Sequence, residues 1–323
     1  MAAVKISLIT PAHKQSRAGN RTTAVRWRRI LERLGHRVTV GLAYDGAPAD
    51  AMVALHSWRS ADSIRDFHAR YPDRPLMVCL TGTDAYRFIH SDPEVTIGSL
   101  ERADVLIGLH DLIHQAIPER FRDKLRVIYQ SSLPLARRLP PRKRSFDVCV
   151  IGHLREEKDP FRAAYAVRGV PADSRLRVIH LGKEHEESWA AEARTEMARN
   201  PRYDWRGEVP GAEVRRLFQR VRLMVISSRM EGGANIVSEA IVAGVPVIGS
   251  DIAGNIGLLG PDYPGYYPVG DTAGLSRLLL RAEREPGYLA ELARHCAARA
   301  PLFRPEREAE SWRGLMAEIM RPA

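Results

Sequence analysis

Cysteine is scarce in this sequence. The 323 residues include three, Cys79, Cys149 and Cys296, an odd number with no Cys-x-x-Cys pair. That excludes a disulfide framework and a zinc site built on paired thiolates, and it fits a reducing cytosol. Aromatic residues are few, 7% of the chain, and the Lys and Arg are dispersed. A nucleic-acid-binding surface would gather basic and aromatic residues on one face. No apolar stretch approaches the roughly 20 residues that span a bilayer, and the first apolar run at 4–10 is expected to be a strand rather than part of a signal peptide. These absences lead us to expect a cytoplasmic protein with no nucleic-acid and no membrane partner.

What is present is an ordinary globular composition, 45% hydrophobic and 27% charged. The chain is long enough for two domains with a core each. A formal net charge of +10 favours anionic ligands, phosphates among them. Short apolar runs at 4–10, 37–42, 52–55, 75–80, 105–108 and 125–128 read as buried strands. An amphipathic helix with Val25, Ile30, Leu31 and Leu34 follows the first of them, and Gly35 ends it. The pattern starts afresh at 146–151, turns helical at 162–168, and returns to strands at 176–181, 223–227 and 245–249. Between the two series, 133–145 is rich in Pro, Arg and Lys and lacks periodicity, which marks a linker. The alternation predicts an α/β protein with two Rossmann-like, doubly wound domains facing a central cleft. Their bounds are 1–140 and 141–302, and a C-terminal helix at 303–323 carries Trp312, Leu315 and Ile319 at helical spacing and packs back on the first domain. Ligands of such folds bind outside the carboxyl ends of the strands, so the residues of interest lie just after strands.

The most specific such segment follows the strand that ends at Ser227. It reads Glu231-Gly-Gly-Ala-Asn-Ile-Val-Ser-Glu239, with a helix expected over 234–243 and Gly244-Val-Pro leading into the next strand. The double glycine lets the backbone approach a ligand, and the helix start offers free amides and a favourable dipole to a phosphate. Two carboxylates, one before the helix and one within it, can grip different hydroxyls of one extended ligand. A second segment, Ile151-Gly-His-Leu-Arg155-Glu-Glu-Lys158-Asp-Pro160, follows the first strand of the second domain.

In these segments the chain resembles the GT-B glycosyltransferases, specifically the large family four, whose Glu-x7-Glu motif Glu231 and Glu239 match. The resemblance implies that Glu231 contacts the donor sugar and Glu239 the ribose of the nucleotide. It places the diphosphate on the backbone of Gly232, Gly233, Ala234, Asn235 and Ile236. It also implies that Arg155 and Lys158 neutralise that diphosphate, with His153 standing at the usual arginine position. Arg206 and Gly207, within Tyr203-Asp-Trp-Arg-Gly-Glu-Val209, would line the uracil pocket. Cations fixed where negative charge develops in a transition state accelerate bond cleavage. The Asp-x-Asp pair by which metal-dependent transferases hold a divalent ion is absent from the chain. No metal and no other cofactor is therefore expected.

After the first strand, Thr10-Pro-Ala-His-Lys14-Gln-Ser-Arg17-Ala-Gly19-Asn20-Arg21 crowds cations around a glycine and a helix start. That is an anion site by residue type and place. Thr81 and Gly82, in Leu80-Thr-Gly-Thr-Asp84, end another strand, and Thr81 stands where related transferases have histidine. His56 and His110 also follow strands, and histidine is the natural group for acid–base work near neutral pH. The expected catalytic set is Arg155, Lys158, Glu231 and His110.

A closer likeness runs over nearly the whole chain. Arg17-Ala-Gly-Asn-Arg-Thr-Thr-Ala-Val-Arg-Trp27, together with the segments beginning at Leu80, Ile151 and Glu231, is similar to the selenosugar synthases of selenoneine biosynthesis. That likeness implies selenophosphate as acceptor and UDP-N-acetylglucosamine or UDP-glucose as donor. The products would be a 1-selenosugar, UDP and phosphate, and a functional link to a selenophosphate-making enzyme would follow. The acceptor would sit on Lys14, Arg17, Gly19, Asn20, Arg21, Thr81 and Gly82. The alternative keeps the donor machinery and takes a conventional hydroxyl acceptor.

Overall fold

The computed structural model describes residues 3–13 and 19–320. The chain falls into two compact units. One comprises Met1–Ser131, Glu231–Asn235 and Pro305–Ala323, and the other Ser132–Met230 and Ile236–Arg304. Each is built on a six-stranded sheet.

In the first unit the strands are β1 (Lys5–Ile9), β2 (Arg37–Gly41), β3 (Ala51–Leu55), β4 (Leu76–Cys79), β5 (Val105–Gly108) and β6 (Leu125–Val127). They lie in the order β2-β1-β3-β4-β5-β6, every pair parallel. Strands β3, β4 and β5 are buried along their whole length, as a parallel sheet covered on both faces requires. Successive side chains alternate between faces: Ala51, Val53 and Leu55 enter one core, Met52 and Ala54 the other. The helices Gly19–Arg33 and Pro305–Ile319 cover the first face. Their Trp27 and Trp312 meet edge to face at 4.8 Å and 73°, a favoured geometry for paired aromatic quadrupoles, and Leu315 and Met316 extend that core. Ile64 and Phe67 of the helix Ala61–Arg70 and Leu100 of the helix Pro93–Arg102 fill the other.

The second unit holds β7 (Phe146–Ile151), β8 (Leu176–Leu181), β9 (Tyr203–Trp205), β10 (Leu223–Ile226), β11 (Val247–Ser250) and β12 (Tyr266–Tyr267). Its order is β12-β11-β10-β7-β8-β9, again all parallel. The chain winds outward from β7 to β9, then returns to the other side of β7 and winds outward again to β12. The winding reverses between β7 and β10, where Val148 is registered with Leu223. Connections leaving the carboxyl ends of two such strands diverge to opposite faces and open a crevice, the usual ligand position in this fold.

Several features differ from the sequence reading. The first unit ends at Ser131, ahead of the expected boundary, because the arginines and prolines of the expected linker are engaged by the second unit. Arg138 donates to the carbonyls of Phe218 and Val221 (2.5 and 2.8 Å), and Arg215 to those of Leu133 and Pro134 (2.9 and 2.8 Å). Residues 203–205, expected only as a pocket-lining stretch, form the edge strand β9, and β12 is too short to show a period. Among the described residues no helix is long and apolar enough to cross a membrane, and all three cysteines are free and buried.

Candidate functional site

The reversal point of the second sheet is flanked by two loops, and both carry motifs legible in the sequence. After β7, Gly152-His-Leu leads to Arg155, whose extended backbone (φ −159°, ψ 160°) opens a short 3-10 turn, Glu156–Lys158. This loop is anchored from beneath. The Leu154 amide donates to the Lys183 carbonyl at 2.8 Å. His180 Nε2 lies 3.0 Å from the Gly152 carbonyl oxygen, and its Nδ1 lies 2.9 Å from the Tyr203 hydroxyl. A carbonyl only accepts, so Nε2 carries the proton and Nδ1 accepts from Tyr203. Burial pushes the pKa of His180 down to about 4, which keeps this donor–acceptor arrangement intact at neutral pH. A side chain on Gly182 would run into the Gly152 carbonyl, so only glycine fits there.

Cations gather at the end of β7. The His153 pKa is lowered, first by burial and then by His185, Arg155 and Lys158. Arg155 Nε is 3.8 Å from the Glu157 carboxylate and is buried without a hydrogen-bond partner. On the neighbouring edge, Arg206 lays Nε and Nη2 on Asp204 Oδ2 (3.0 and 2.8 Å). Gly207 adopts φ +67° and accepts the Gly182 amide at 2.8 Å.

After β10 the chain passes Ser227 and Ser228 and reaches Glu231, which is 7% exposed. The helix Asn235–Val242 then begins, with Ile236 and Glu239 half-buried on it and Ala234 buried just ahead. Glu231–Asn235 belongs to the first unit. A side chain on Gly232 would strike the Thr81–Gly82 peptide, and one on Gly233 (φ +141°) the Leu109 side chain. The double glycine thus has a packing reason beyond the ligand approach expected from sequence. Asn235 Oδ1 accepts from Arg26 Nη1 at 3.0 Å, and its Nδ2 donates to Thr23 Oγ1 at 3.3 Å.

Residues 135–302, just over half of the chain, match the family described as Glycosyl transferases group 1. The chain belongs to the group 1 glycosyl transferases. Its fold is similar to that of Anabaena HepE solved with UDP and glucose: TM-score 0.75, 13% identity, covering 98% of this chain and 100% of that one. It is also similar to sucrose-phosphate synthase from Thermosynechococcus elongatus (TM-score 0.78, 15% identity, 97% and 98% covered). A third likeness is to a glycosyltransferase from Rickettsia africae (TM-score 0.76, 10% identity, 100% of both chains). No curated protein matches the sequence.

The first unit of this transferase presents the remaining expected residues in a different setting. Lys14 and Arg17 lie outside the described residues. Gly19, Asn20 and Arg21 open the helix Gly19–Arg33, and the Gly19 carbonyl accepts from Thr23 Oγ1 at 2.9 Å. Thr81 directs both its amide and its hydroxyl to Asp84 Oδ1 (2.8 and 2.7 Å). The other carboxylate oxygen takes the amide and hydroxyl of Ser57 (2.8 and 3.2 Å). Asp84 is fully buried and so fully satisfied, as a buried charge must be. It also opens a π-turn, Asp84–Phe88, a rare local geometry that recurs at functional sites. His56, with φ +75°, accepts the Arg59 amide at Nδ1 (3.2 Å) and contacts the Thr83 hydroxyl at Nε2 (2.9 Å).

His110, expected in the catalytic set, is buried and hydrogen-bonded at both ring nitrogens. Its Nδ1 accepts the Leu112 amide at 3.2 Å and caps the 3-10 turn Asp111–Ala116, while Nε2 meets the Tyr86 hydroxyl at 3.1 Å. Both nitrogens are engaged, and burial pushes the pKa down to about 4 although Asp111 and Glu231 pull it upward. In this geometry the ring caps the turn and holds the Tyr86 hydroxyl. Sequence reasoning missed Asp84 as a hub, His180, Ser227 and Glu308. Asp84 ends the Leu80-Thr-Gly-Thr-Asp84 segment, but its bonds to Ser57, like the partners of His180, Ser227 and Glu308, lie far away along the chain. Glu308, 1% exposed, accepts Arg26 Nε (3.0 and 2.9 Å), Trp27 Nε1 (2.8 Å) and the Ser131 amide (2.9 Å).

Proposed function

We propose that this transferase takes sugar from UDP-N-acetylglucosamine or UDP-glucose and passes it to selenophosphate. The observation that carries the donor half is the pair of loops at the reversal point of the second sheet. The loop after β7 bears Arg155 and Lys158, and the loop after β10 leads to Glu231, the double glycine and the helix with Glu239. HepE, which shares the fold, is solved with UDP and glucose, and this supports a UDP-sugar. In this reading Glu231 holds the sugar and Glu239 the ribose. Arg155, Lys158 and the backbone of residues 232–236 meet the diphosphate, and Arg206 and Gly207 flank the uracil.

The acceptor half rests on the likeness of the segments beginning at Arg17, Leu80, Ile151 and Glu231 to the selenosugar synthases. Gly19, Asn20, Arg21, Thr81 and Gly82, with Lys14 and Arg17, would receive the anion. Selenium forms the bond to the anomeric carbon while the bond from that carbon to the diphosphate oxygen breaks. UDP departs with the electron pair, stabilised by the cations. Water then cleaves the selenium–phosphorus bond to give 1-selenosugar and phosphate. Selenium already carries negative charge as a nucleophile, so no general base is required and none is assigned to His110. Charge on the diphosphate is met by Arg155 and Lys158 without a divalent ion, so chelator leaves the rate unchanged. Such an acceptor suits a cytoplasmic enzyme working beside one that makes selenophosphate.

The test is mass spectrometry of purified protein incubated with selenophosphate and a panel of UDP-sugars, with and without chelator. A selenium-containing sugar plus UDP is expected. Slow release of UDP without selenosugar overturns the acceptor and favours a hydroxyl acceptor, whereas no turnover of any UDP-sugar sinks the donor assignment as well.

A further inference from the structure

We propose that Asp159 and Ser227 are positioning residues that clamp the backbone of Lys158 and thereby set the cation that meets the leaving diphosphate. The role given to Lys158 rests on the donor reading above. The clamp itself rests on geometry within the second unit.

The first observation is strain. Asp159, directly after Lys158, has φ +43° and ψ +58°, the left-handed region, and among non-glycine residues of the described chain only His56 shares a positive φ. Aspartate enters that region more readily than most residues with a Cβ, yet it still costs free energy, and such residues cluster at functional sites. The second observation is what holds Asp159 there. Ser227 Oγ, at the end of β10, lies 3.1 Å from the Lys158 carbonyl and 2.9 Å from the Asp159 carbonyl, so one hydroxyl proton serves both. Two residues on, the Arg229 amide donates to the Glu157 carbonyl at 2.8 Å. Three consecutive carbonyls of the turn are thus tied to the chain leaving β10.

From the opposite side, the Asp159 carboxylate grips Arg162 through two bonds (2.8 and 3.2 Å), and Arg162 Nη1 donates to Thr272 Oγ1 at 2.6 Å. Thr272 is the first residue of the helix Thr272–Arg284. Ser227 is 3% and Asp159 8% exposed, so water does not compete freely for these bonds. A glycine at 159 would reach the same backbone without strain. The aspartate adds a second anchor, to Arg162, at the cost of that strain. Lysine is a flexible point charge, and fixing its backbone removes part of its freedom before the ligand arrives. Catalytic groups misplaced by about 1 Å lose on the order of 100-fold in rate, which gives the clamp its purpose.

The test uses the full-length chain carrying Ser227→Ala, Ser227→Thr, Asp159→Ala or Asp159→Asn, with Lys158→Ala as reference. Two readouts are taken on folded protein: amide hydrogen exchange of the peptide 153–162 without ligand, and kcat and KM for UDP-sugar turnover. Ser227→Ala and Asp159→Ala are expected to speed exchange in that peptide about tenfold and to lower kcat about 10- to 100-fold, with KM little changed. Ser227→Thr restores the hydroxyl and both readouts. Asp159→Asn, which tolerates the left-handed backbone but loses the ion pair, falls between. Adding Ser227→Ala to Lys158→Ala costs no further activity, because both act through one cation. A merely structural role predicts a lower melting temperature with unchanged kcat per folded molecule and additive double variants, and that result overturns the proposal. Unchanged exchange in 153–162 overturns it as well, even in a protein that turns over no UDP-sugar. That last failure sinks the donor reading separately. Asp159→Asn carries the test if Ser227→Ala does not fold.

Discussion

The two units share strand number and parallel sense, yet they use the ends of their strands differently. In the first unit the polar groups near the strand ends are turned on one another. Asp84 takes four donors from Ser57 and Thr81, His110 is spent on Leu112 and Tyr86, and the buried Glu308 collects Arg26, Trp27 and Ser131. In the second unit buried carboxylates also pair, Asp159 with Arg162 and Glu196 with Arg168 and Arg199, but neutral groups near the end of β7 hold backbone. His180 holds Gly152 and Ser227 holds Lys158 and Asp159, while cations gather at the loop they support. A leaving group that gains negative charge needs cations that are held in place, and neutral groups gripping carbonyls supply that without cancelling the charge. The donor-saturated carboxylates Asp84 and Glu308 chiefly rigidify the frame of the first unit.

That contrast can be broken most forcefully at Glu308. Glu308→Ala leaves the Arg26 guanidinium without its carboxylate and strips partners from Trp27 and Ser131. Removing one member of a buried pair costs about 3–5 kcal/mol. Urea unfolding of the full chain should show a loss of that size, and a loss under about 1 kcal/mol, the worth of an exposed pair, would mean that Glu308 is no frame element. Lys158→Ala probes the other side of the contrast. It should lower kcat for UDP release by about 10²- to 10³-fold, the cost of losing one transition-state charge contact. Its unfolding midpoint should move little. A variant that loses stability and keeps its rate would erase the distinction between the units.

The smallest effect concerns pH and sharpens the comparison by setting one histidine from each unit side by side. His110 and His180 both fall from 6.5 to about 4 in the folded state, chiefly through burial. Between those values the unfolded chain binds protons that the folded chain does not, so stability falls as pH drops through this window and is fully present above 6.5. Each histidine contributes at most about 1.4 kcal/mol per pH unit there. Denaturant midpoints for His180→Gln and His110→Gln should lose this slope one histidine at a time. A wild-type slope of opposite sign would contradict the burial of both rings.

Much of the fold was legible because buried parallel strands are short uninterrupted apolar runs and their order along the chain is visible. The runs at 105–108 and 146–151 coincide with β5 and β7. The strand β12 was not legible, since two residues carry no period, and 203–205 lacked the apolar run of a central strand because β9 lies at an edge. On the candidate site, the segments carrying Arg155, Lys158, Glu231 and Glu239 drew attention because they follow strands, where ligands of this fold bind. His110 drew attention for the same reason, but that Tyr86 and Leu112 engage its ring nitrogens could be seen only in space.

The sequence by itself determined the α/β class, the restart of the pattern at residue 146 and the two motif-bearing loops of the second half. These depend on local periodicity and on residue type next to strand ends, both of which survive in one dimension. Only the tertiary structure decided the strand order, and with it the reversal between β7 and β10, the two strands from which those segments lead. It alone decided that Glu308 answers Arg26, that His180 grips Gly152 and that Ser227 grips Lys158. The physical reason is that a buried polar group is worth what its partners make it, and those partners are brought to it by packing rather than by adjacency in the chain.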